Sequence, residues 1–122
     1  MKCTIKLSEN EDYILLRIVG DFTSREMMEC VIESHTLGRE KGVRSYLVDV
    51  RNARNIDSAF GKREFAYSDM KKTDTVDRNA KVAGLIRPND ESHDFVELTS
   101  NNAGMNMKLF IDIDQAIDFL IR

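Results

Sequence analysis

The stretch that decides the fold runs from residue 3 to residue 19 and reads CTIKLSENEDYILLRIV. Polar and apolar residues alternate over positions 3–7, a pattern that predicts a half-buried β-strand. Residues 13–19 form an almost continuous apolar run, interrupted by Arg17 alone, which predicts a central strand. A short polar turn separates the two runs. The segment is therefore predicted to form an antiparallel hairpin.

Beyond this hairpin, which Gly20 and Asp21 are expected to end, strand and helix patterns alternate. Thr23 and Glu26 fit a capping box and predict the start of a first helix, with Gly42 as its C-terminal cap. The other predicted elements are strands at residues 46–50, 81–86 and 105–111, a polar loop at 51–55, and helices that begin near residues 57, 89 and 112. The order β-β-α-β-α-β-α-β-α implies one α/β domain over residues 1–122, with a mainly parallel sheet and an antiparallel N-terminal hairpin.

Composition limits the classes of protein and of partner. The 122 residues contain 18 bases and 21 acids, which gives a net charge of −3, and 42% of them are hydrophobic. A folded globule is expected, and a broadly basic nucleic-acid binder is excluded because no net positive field would hold phosphates. No apolar run approaches the roughly 20 residues of a membrane span. Without a secretory signal, the expected compartment is the cytoplasm and Cys3 and Cys30 are expected to be free thiols.

Motifs for catalysis and for metal binding are missing from the sequence. It contains no dinucleotide-binding glycine motif, no P-loop, no HExxH and no GxSxG. His35 and His93 have no ligand-spaced partner, so no metal site and no cofactor are predicted. Ser92, His93 and Asp94 are consecutive and cannot align as a catalytic triad. They are expected in the first turn of a helix, where His93 could contact a ligand or a partner's phosphate. An enzymatic function is therefore only the third hypothesis for this protein.

Asp49 is the most informative single residue, because a carboxylate near the end of a buried strand costs free energy unless it is hydrogen-bonded or exposed. Ligands of open parallel sheets gather beyond the carboxyl ends of the strands. Asp49 either anchors the following loop or resembles the phosphoaccepting aspartate of a receiver domain, although the acidic pair that such a domain needs is missing. A charged cluster follows the same strand, namely Arg51, Arg54, Asp57, Ser58, Lys62 and Arg63. It suits an anion at a helix N-terminus, or it forms a solvated loop.

The element order and several short patterns resemble the STAS domain (sulfate transporter and anti-sigma factor antagonist) in its SpoIIAA-like branch. Residues 20–23 (GDFT) are similar to the Gly-Glu-Leu-Asp stretch that leaves the second strand of that family. Asp49 followed by residues 56–58 (IDS) is similar to the strand-end Asp and the Ile-Asp-Ser of the family. Residues 92–95 (SHDF) and 102–104 (NAG) look like a subgroup of small stand-alone bacterial STAS-like proteins. The resemblance spans nearly the whole chain and implies the SpoIIAA-like fold.

The resemblance also implies a function and a departure from it. Anti-sigma factor antagonists carry Asp-Ser-Ser/Thr-Gly, and the second hydroxyl residue accepts phosphate from a kinase. Residues 57–60 of this chain read DSAF, so Ala59 takes the acceptor position and Phe60 takes that of the glycine. We therefore expect a non-enzymatic regulatory or protein-interaction module without the usual phosphoacceptor. The residues expected to bind its partner are Asp49, Arg51, Arg54, Asp57, Ser58 and His93.

The alternative hypothesis is a carrier or sensor of a small molecule, because SpoIIAA-like folds also resemble the lipid-binding Sec14 type. Its pocket would lie between the sheet and the helix predicted after residue 57, lined by Phe60, Phe65, Tyr67 and Met70. A protein partner is thus the leading expectation, a small apolar or anionic ligand is the alternative, and nucleic acid is not expected. Self-association into a homodimer, through an edge strand or a helix face, is left open.

Overall fold

The computed structural model describes residues 1–56, 79–90, 92–93 and 106–122. Its elements are β1 (Lys2–Leu7), β2 (Ile14–Phe22), α1 (Ser24–Lys41), β3 (Ser45–Asn55), β4 (Lys81–Leu85), β5 (Asn106–Phe110) and α2 (Ile113–Ile121). The hairpin, the later strands and the first and last helices are thereby confirmed. The helices predicted near residues 57 and 89 lie outside the described residues.

The described strands form one mixed sheet with the order β1-β2-β3-β4-β5. β1 and β2 are antiparallel, and the other neighbouring strands are parallel. The predicted sheet is therefore confirmed, including its antiparallel edge. Because parallel strands run in one direction, the C-terminal ends of β2, β3 and β4 lie side by side along one edge of the sheet, where ligands of such sheets gather.

Two of the predicted strand ends are wrong. Gly20 and Asp21 do not end β2, which continues to Phe22, and residues 51–55 belong to β3 instead of forming a loop. The two strands extend each other, because Gly20 to Phe22 pair with residues 53–55. Exposed and buried residues alternate from Asn52 to Asn55, so the extension is a half-buried strand despite its polar composition.

The register between β2 and β3 also shifts at one point. Arg17 pairs with Asp49, but Val19 pairs with Asn52, so β3 holds one residue more than β2 over this interval. A bulge of this kind interrupts the alternation of side chains and redirects the strand that contains the extra residue. Arg51 and Asn52, which are consecutive, line the same cleft at the end of the strand, together with Ala53 and Arg54.

The sheet carries a hydrophobic core on each face. The larger core includes α1 side chains such as Met28 and Cys30 and lies on one face of the sheet. The smaller core packs Ala116 and Leu120 of α2 against Leu47 on the other face. We call this second face of the sheet the α2 face. Because side chains alternate along a strand, it also carries Asp49 and, through strand pairing, Arg17, Thr4, Val19 and Lys2.

The ends of α1 follow the sequence prediction. The Thr23 hydroxyl accepts a hydrogen bond from the Glu26 amide at 3.2 Å, and the Glu26 carboxylate accepts one from the Thr23 amide at 2.9 Å. These reciprocal bonds satisfy two amides that the first turn leaves without a helical partner. Gly42 ends the helix with φ 68°, in the left-handed region that favours glycine.

The cysteines face one another between β1 and α1. Both are free; Cys30 is buried, and Cys3 is partly buried against the same core. Burial, a hydrogen bond with Cys30 and nearby negative charge raise the pKa of Cys3 to about 12. The Cys3 thiol is therefore protonated and unreactive at neutral pH, because the thiolate is the nucleophilic form.

Gly38 permits a close approach between α1 and β3. A Cβ atom at this position would contact the Tyr46 hydroxyl and would lie 2.8 Å from the Val43 carbonyl oxygen. Tyr46 is a buried residue whose ring stacks on that of His35, with centroids 4.0 Å apart. Tyr46 cannot move away without disturbing this stack. The short distance between α1 and the sheet therefore depends on the absence of a side chain at Gly38.

We expect Gly38→Ala to lower the free energy of unfolding by about 1–3 kcal/mol, because an added methyl overpacks this contact. Urea denaturation monitored by circular dichroism measures the change. Thr36→Ala is the matched control: Thr36 is exposed in the same helix and should stay within about 0.5 kcal/mol of the parent. A Gly38→Ala variant as stable as the parent would show that the contact is loose.

Candidate functional site

Asp49 is the centre of a charged network on the α2 face. Its side chain is only 5% exposed. One carboxylate oxygen, Oδ2, accepts hydrogen bonds from Arg17 Nε at 3.2 Å and from Arg51 Nη2 at 2.9 Å. The other, Oδ1, accepts from Arg51 Nε at 3.0 Å and from the Arg51 amide at 3.2 Å. The buried carboxylate is thus hydrogen-bonded through both oxygens, as its burial requires.

The protonation of Asp49 follows from these contacts. Burial favours the neutral acid, but the hydrogen bonds and charge of Arg51, with a further bond from Arg17, outweigh it and hold the pKa of Asp49 below its usual value. The hydrogen bond to Asp49 likewise raises the pKa of Arg51. Asp49 is therefore an ionised anchor for two guanidinium groups at neutral pH. This geometry favours the anchoring role over that of a phosphoacceptor, because each oxygen already accepts two hydrogen bonds.

Sequence reasoning missed Arg17 as part of this site. Its side chain is 45% exposed and that of Arg51 is 40% exposed, so both guanidinium groups reach solvent from a fixed point of attachment. Arg17 lies 32 positions before Asp49, and only the register of β2 against β3 brings the two together. The available signal was a single charged residue inside an otherwise apolar strand.

A cleft of about 680 Å³ opens where β2, β3 and β4 end, and we call it the strand-end cleft. Arg51, Arg54 and Arg87 all line it. The structure therefore brings together two of the predicted binding residues and adds Arg87, whose Nη2 donates to Asn52 Oδ1 at 2.7 Å. The predicted binding residues Asp57 and Ser58 lie outside the described residues.

His93 does not line the strand-end cleft, although its neighbours Asp90 and Ser92 do. It is buried, with its ring stacked on Phe22 at a centroid distance of 5.8 Å, and its Nε2 lies 3.5 Å from Asp90 Oδ2. Burial tends to raise the pKa of Asp90, but hydrogen bonds from Ser92 and the charges of His93 and Arg54 lower it below its usual value. Asp90, which does line the cleft, is thereby held as a carboxylate.

A second concavity of about 600 Å³ separates the hairpin turn from α2 on the same face. Tyr13, Leu15 and Ile117 contribute apolar surface to it. Ile113 and Ile121, which the helix pattern places on the inner side of α2, also line it and are 38% and 56% exposed. The pocket expected beside the helix after residue 57 lies outside the described residues.

Two further observations concern metals and membranes. Within residues 1–56, 79–90, 92–93 and 106–122, no three His, Cys, Asp or Glu side chains are grouped so that they could hold a metal ion. Neither helix in this part of the chain is long and apolar enough to cross a bilayer.

We expect Asp49→Asn to lower the free energy of unfolding by about 1.5–3 kcal/mol at pH 7, the scale of charged hydrogen bonds. Because the folded pKa of Asp49 is depressed, its contribution is complete above the unfolded pKa of about 3.9 and is lost as pH falls through the folded value. The stabilities of parent and variant should therefore converge in acid. Urea denaturation from pH 7 to pH 3 measures this.

Asp118→Asn is the matched control for this substitution, because Asp118 forms an exposed ion pair with Arg122 at 2.7 Å. Exposed pairs contribute little, so its effect should stay below about 1 kcal/mol. Equal losses in the two variants would refute a special role for Asp49.

Comparison with known proteins identifies the fold. No protein-family model matches the sequence, and no curated protein does. An uncharacterised DUF3478-family protein with a SpoIIAA-like fold, from Shewanella loihica, matches 98% of this chain with 92% of its own length, at 21% identity and a TM-score of 0.55. An anti-sigma factor antagonist from Mycobacterium paratuberculosis matches 99% of this chain with 96% of its own length, at 11% identity and a TM-score of 0.58. The chain thus has the SpoIIAA-like (STAS) α/β fold that its sequence resembles.

Proposed function

We propose that this protein is a non-enzymatic regulatory module, a single domain of the cytoplasm, that binds a protein partner at the ends of β2, β3 and β4. The observation that carries the proposal is the pair of half-exposed guanidinium groups fixed on the buried Asp49, one of which lines the strand-end cleft. Arg51 and Arg54 are the proposed contacts, with Asp57 and Ser58 from the sequence analysis.

Fixed arginines suit a binding surface for an energetic reason. Ordering a long side chain on association costs about 0.5–1.5 kcal/mol, and that cost is reduced where the side chain is already held. Arg51 is held by Asp49 and Arg87 by Asn52 in the unbound chain. Arginine is also among the residues enriched in protein interfaces and in their energetic centres.

The chemistry of the acids supports binding over catalysis. A general base needs a carboxylate or imidazole within reach of a substrate proton. Asp49 is engaged by two guanidinium groups, and Asp90 accepts a hydrogen bond from the Ser92 amide at 3.0 Å and lies against His93. Both groups therefore act as anchors for neighbouring side chains.

The fold supports a protein partner as well. The Mycobacterium paratuberculosis structure is named an anti-sigma factor antagonist, and that name denotes action on another protein. In this chain Ala59 takes the place of the family's phosphoaccepting residue. We therefore propose that binding here is not switched by phosphorylation at that position.

The carrier of a small apolar ligand is the second candidate, and the concavity between the hairpin turn and α2 favours it. Ile113 and Ile121 are partly exposed, and each lies four residues from Ile117 along α2. The three side chains therefore share one side of the helix and give that concavity an apolar wall.

We expect Arg54→Glu to abolish capture of the partner, because it reverses a charge in the strand-end cleft without touching Asp49. The tagged chain is incubated with lysate of cells that produce it, and the recovered proteins are quantified by mass spectrometry. The recovery of the partner protein should fall at least tenfold. Arg51→Glu is a poorer choice, since it would place a second carboxylate beside the buried one.

Arg122→Glu is the matched charge reversal, at the exposed C-terminus of α2. It should leave recovery unchanged. Equal recovery of every captured protein by the two variants would refute the strand-end surface, and a parent chain that captures nothing would refute the protein-binding function.

The carrier candidate has its own test. If the concavity between the hairpin turn and α2 holds a ligand against its isoleucines, native mass spectrometry of the purified chain should show a bound mass that Ile117→Glu removes, because a carboxylate is costly against apolar groups. Thr36→Glu, which adds the same charge at an exposed position of α1, is the control variant. A chain that shows no added mass, and gains none with fatty acids, would exclude the carrier function.

A further inference from the structure

We infer that the partner binds with an acidic segment, which lies across a basic band on the α2 face. The band consists of Lys2, Arg17, Arg51, Arg54 and Arg87. This inference rests on the proposed function, since it names the chemistry of the partner at the same surface. It also extends that surface from the strand-end cleft to the edge strand β1.

Strand pairing places the band in a continuous line. Lys2 of β1 pairs with Val19 of β2, which pairs with Asn52 of β3, and Asn52 accepts a hydrogen bond from Arg87. Arg17 lies two residues before Val19 on the same face. Neighbouring strands are about 4.8 Å apart, so a line from β1 to the end of β4 spans about 14 Å. That is the length of roughly four residues of an extended peptide.

The charge of the band is opposite to that of the whole chain, which is −3. Two carboxylates lie within it: Asp49, which is buried and paired, and Asp21, the register partner of Arg54. Bases outnumber acids here even when Asp90, at the rim of the strand-end cleft, is added. A positive band on a negative protein selects an acidic partner surface.

The guanidinium groups are presented in a way that suits carboxylates. Among the residues that the structure describes, Arg17 hydrogen-bonds through Nε alone, to Asp49, so both of its Nη groups can donate to a partner. Carboxylates accept two parallel hydrogen bonds from a guanidinium group, and such bonds are among the stronger ones in proteins. Lys2 is exposed and adds a compact charge at the edge.

The surroundings of the band favour a short acidic protein segment over a nucleic acid or an anionic membrane. Acids occupy the hairpin turn at residues 9–12, and α2 on the same face carries Asp114 and Asp118 and is preceded by its N-cap Asp112. Glu9 and Asp12 line the same concavity as Arg17, so a long polyanion or a flat charged bilayer would also meet these carboxylates, whose repulsion extends over a Debye length of about 8 Å. A segment of a few residues can contact the band alone.

The test is a titration of the isotope-labelled full chain with a tetraglutamate peptide in 0.15 M salt, in which binding is followed by amide chemical shifts. Saturable shifts are expected at Lys2, Arg17, Asn52 and Arg87. Affinity should fall at least fivefold in Lys2→Gln/Arg87→Gln, which leaves Asp49 and its partners intact. Lys41→Gln/Arg122→Gln removes the same charge elsewhere and should bind like the parent, and the spectra report whether each variant is folded.

Other outcomes overturn the inference. Shifts spread over all basic residues, or an equal loss in both double variants, would mean unspecific attraction. Tighter binding of a ten-base-pair DNA duplex, or of vesicles with 30% phosphatidylglycerol, would mean that the band serves a different class of partner. If tetraglutamate does not bind while Arg54→Glu still loses its captured partner, the acidic segment is refuted and the proposed function stands.

Discussion

The ionised, buried carboxylate of Asp49 is the constraint on which the charged face of this protein depends. Placing a charge in a β-sheet is costly unless it is fully hydrogen-bonded. Arg17 and Arg51 meet that requirement from two different strands, so the pairing of β2 with β3 is a condition for the site as well as for the fold. Removing Asp49 would leave two guanidinium groups without their partner, and removing either arginine would leave the buried carboxylate with one guanidinium partner instead of two.

Local sequence signals predicted local structure well. The capping box at Thr23 and the glycine cap at Gly42 depend on residues a few positions apart, and both are present. The buried strand with its terminal Asp49 was also recognisable, because a lone carboxylate in an apolar run demands an explanation. Arg51 could be predicted as part of the site because it lies two residues further along the same strand.

Signals that depend on pairing could not be read from the sequence. Arg17 looked like an interruption of a strand, since its partner lies 32 positions away and only the strand register joins them. Arg87 follows a different strand and meets Asn52 for the same reason. The extensions of β2 and β3 were missed because each strand is stabilised by the other, and composition alone made residues 51–55 appear to be a loop. Backbone pairing overrode residue preference there.

The register shift between β2 and β3 has a consequence for how this surface can change over time. Val50 and Ala53 both belong to the core beside α1, although three positions separate them, so β3 carries two different alternation frames joined at the shift. Deleting one residue at the shift would merge the frames, because Val50 and Ala53 would then be two positions apart and Arg54 would keep its place on the α2 face. In evolution the charges of this face can therefore vary one residue at a time, and a single-codon deletion at the shift would remove the bulge from β3 without turning those charges toward the core.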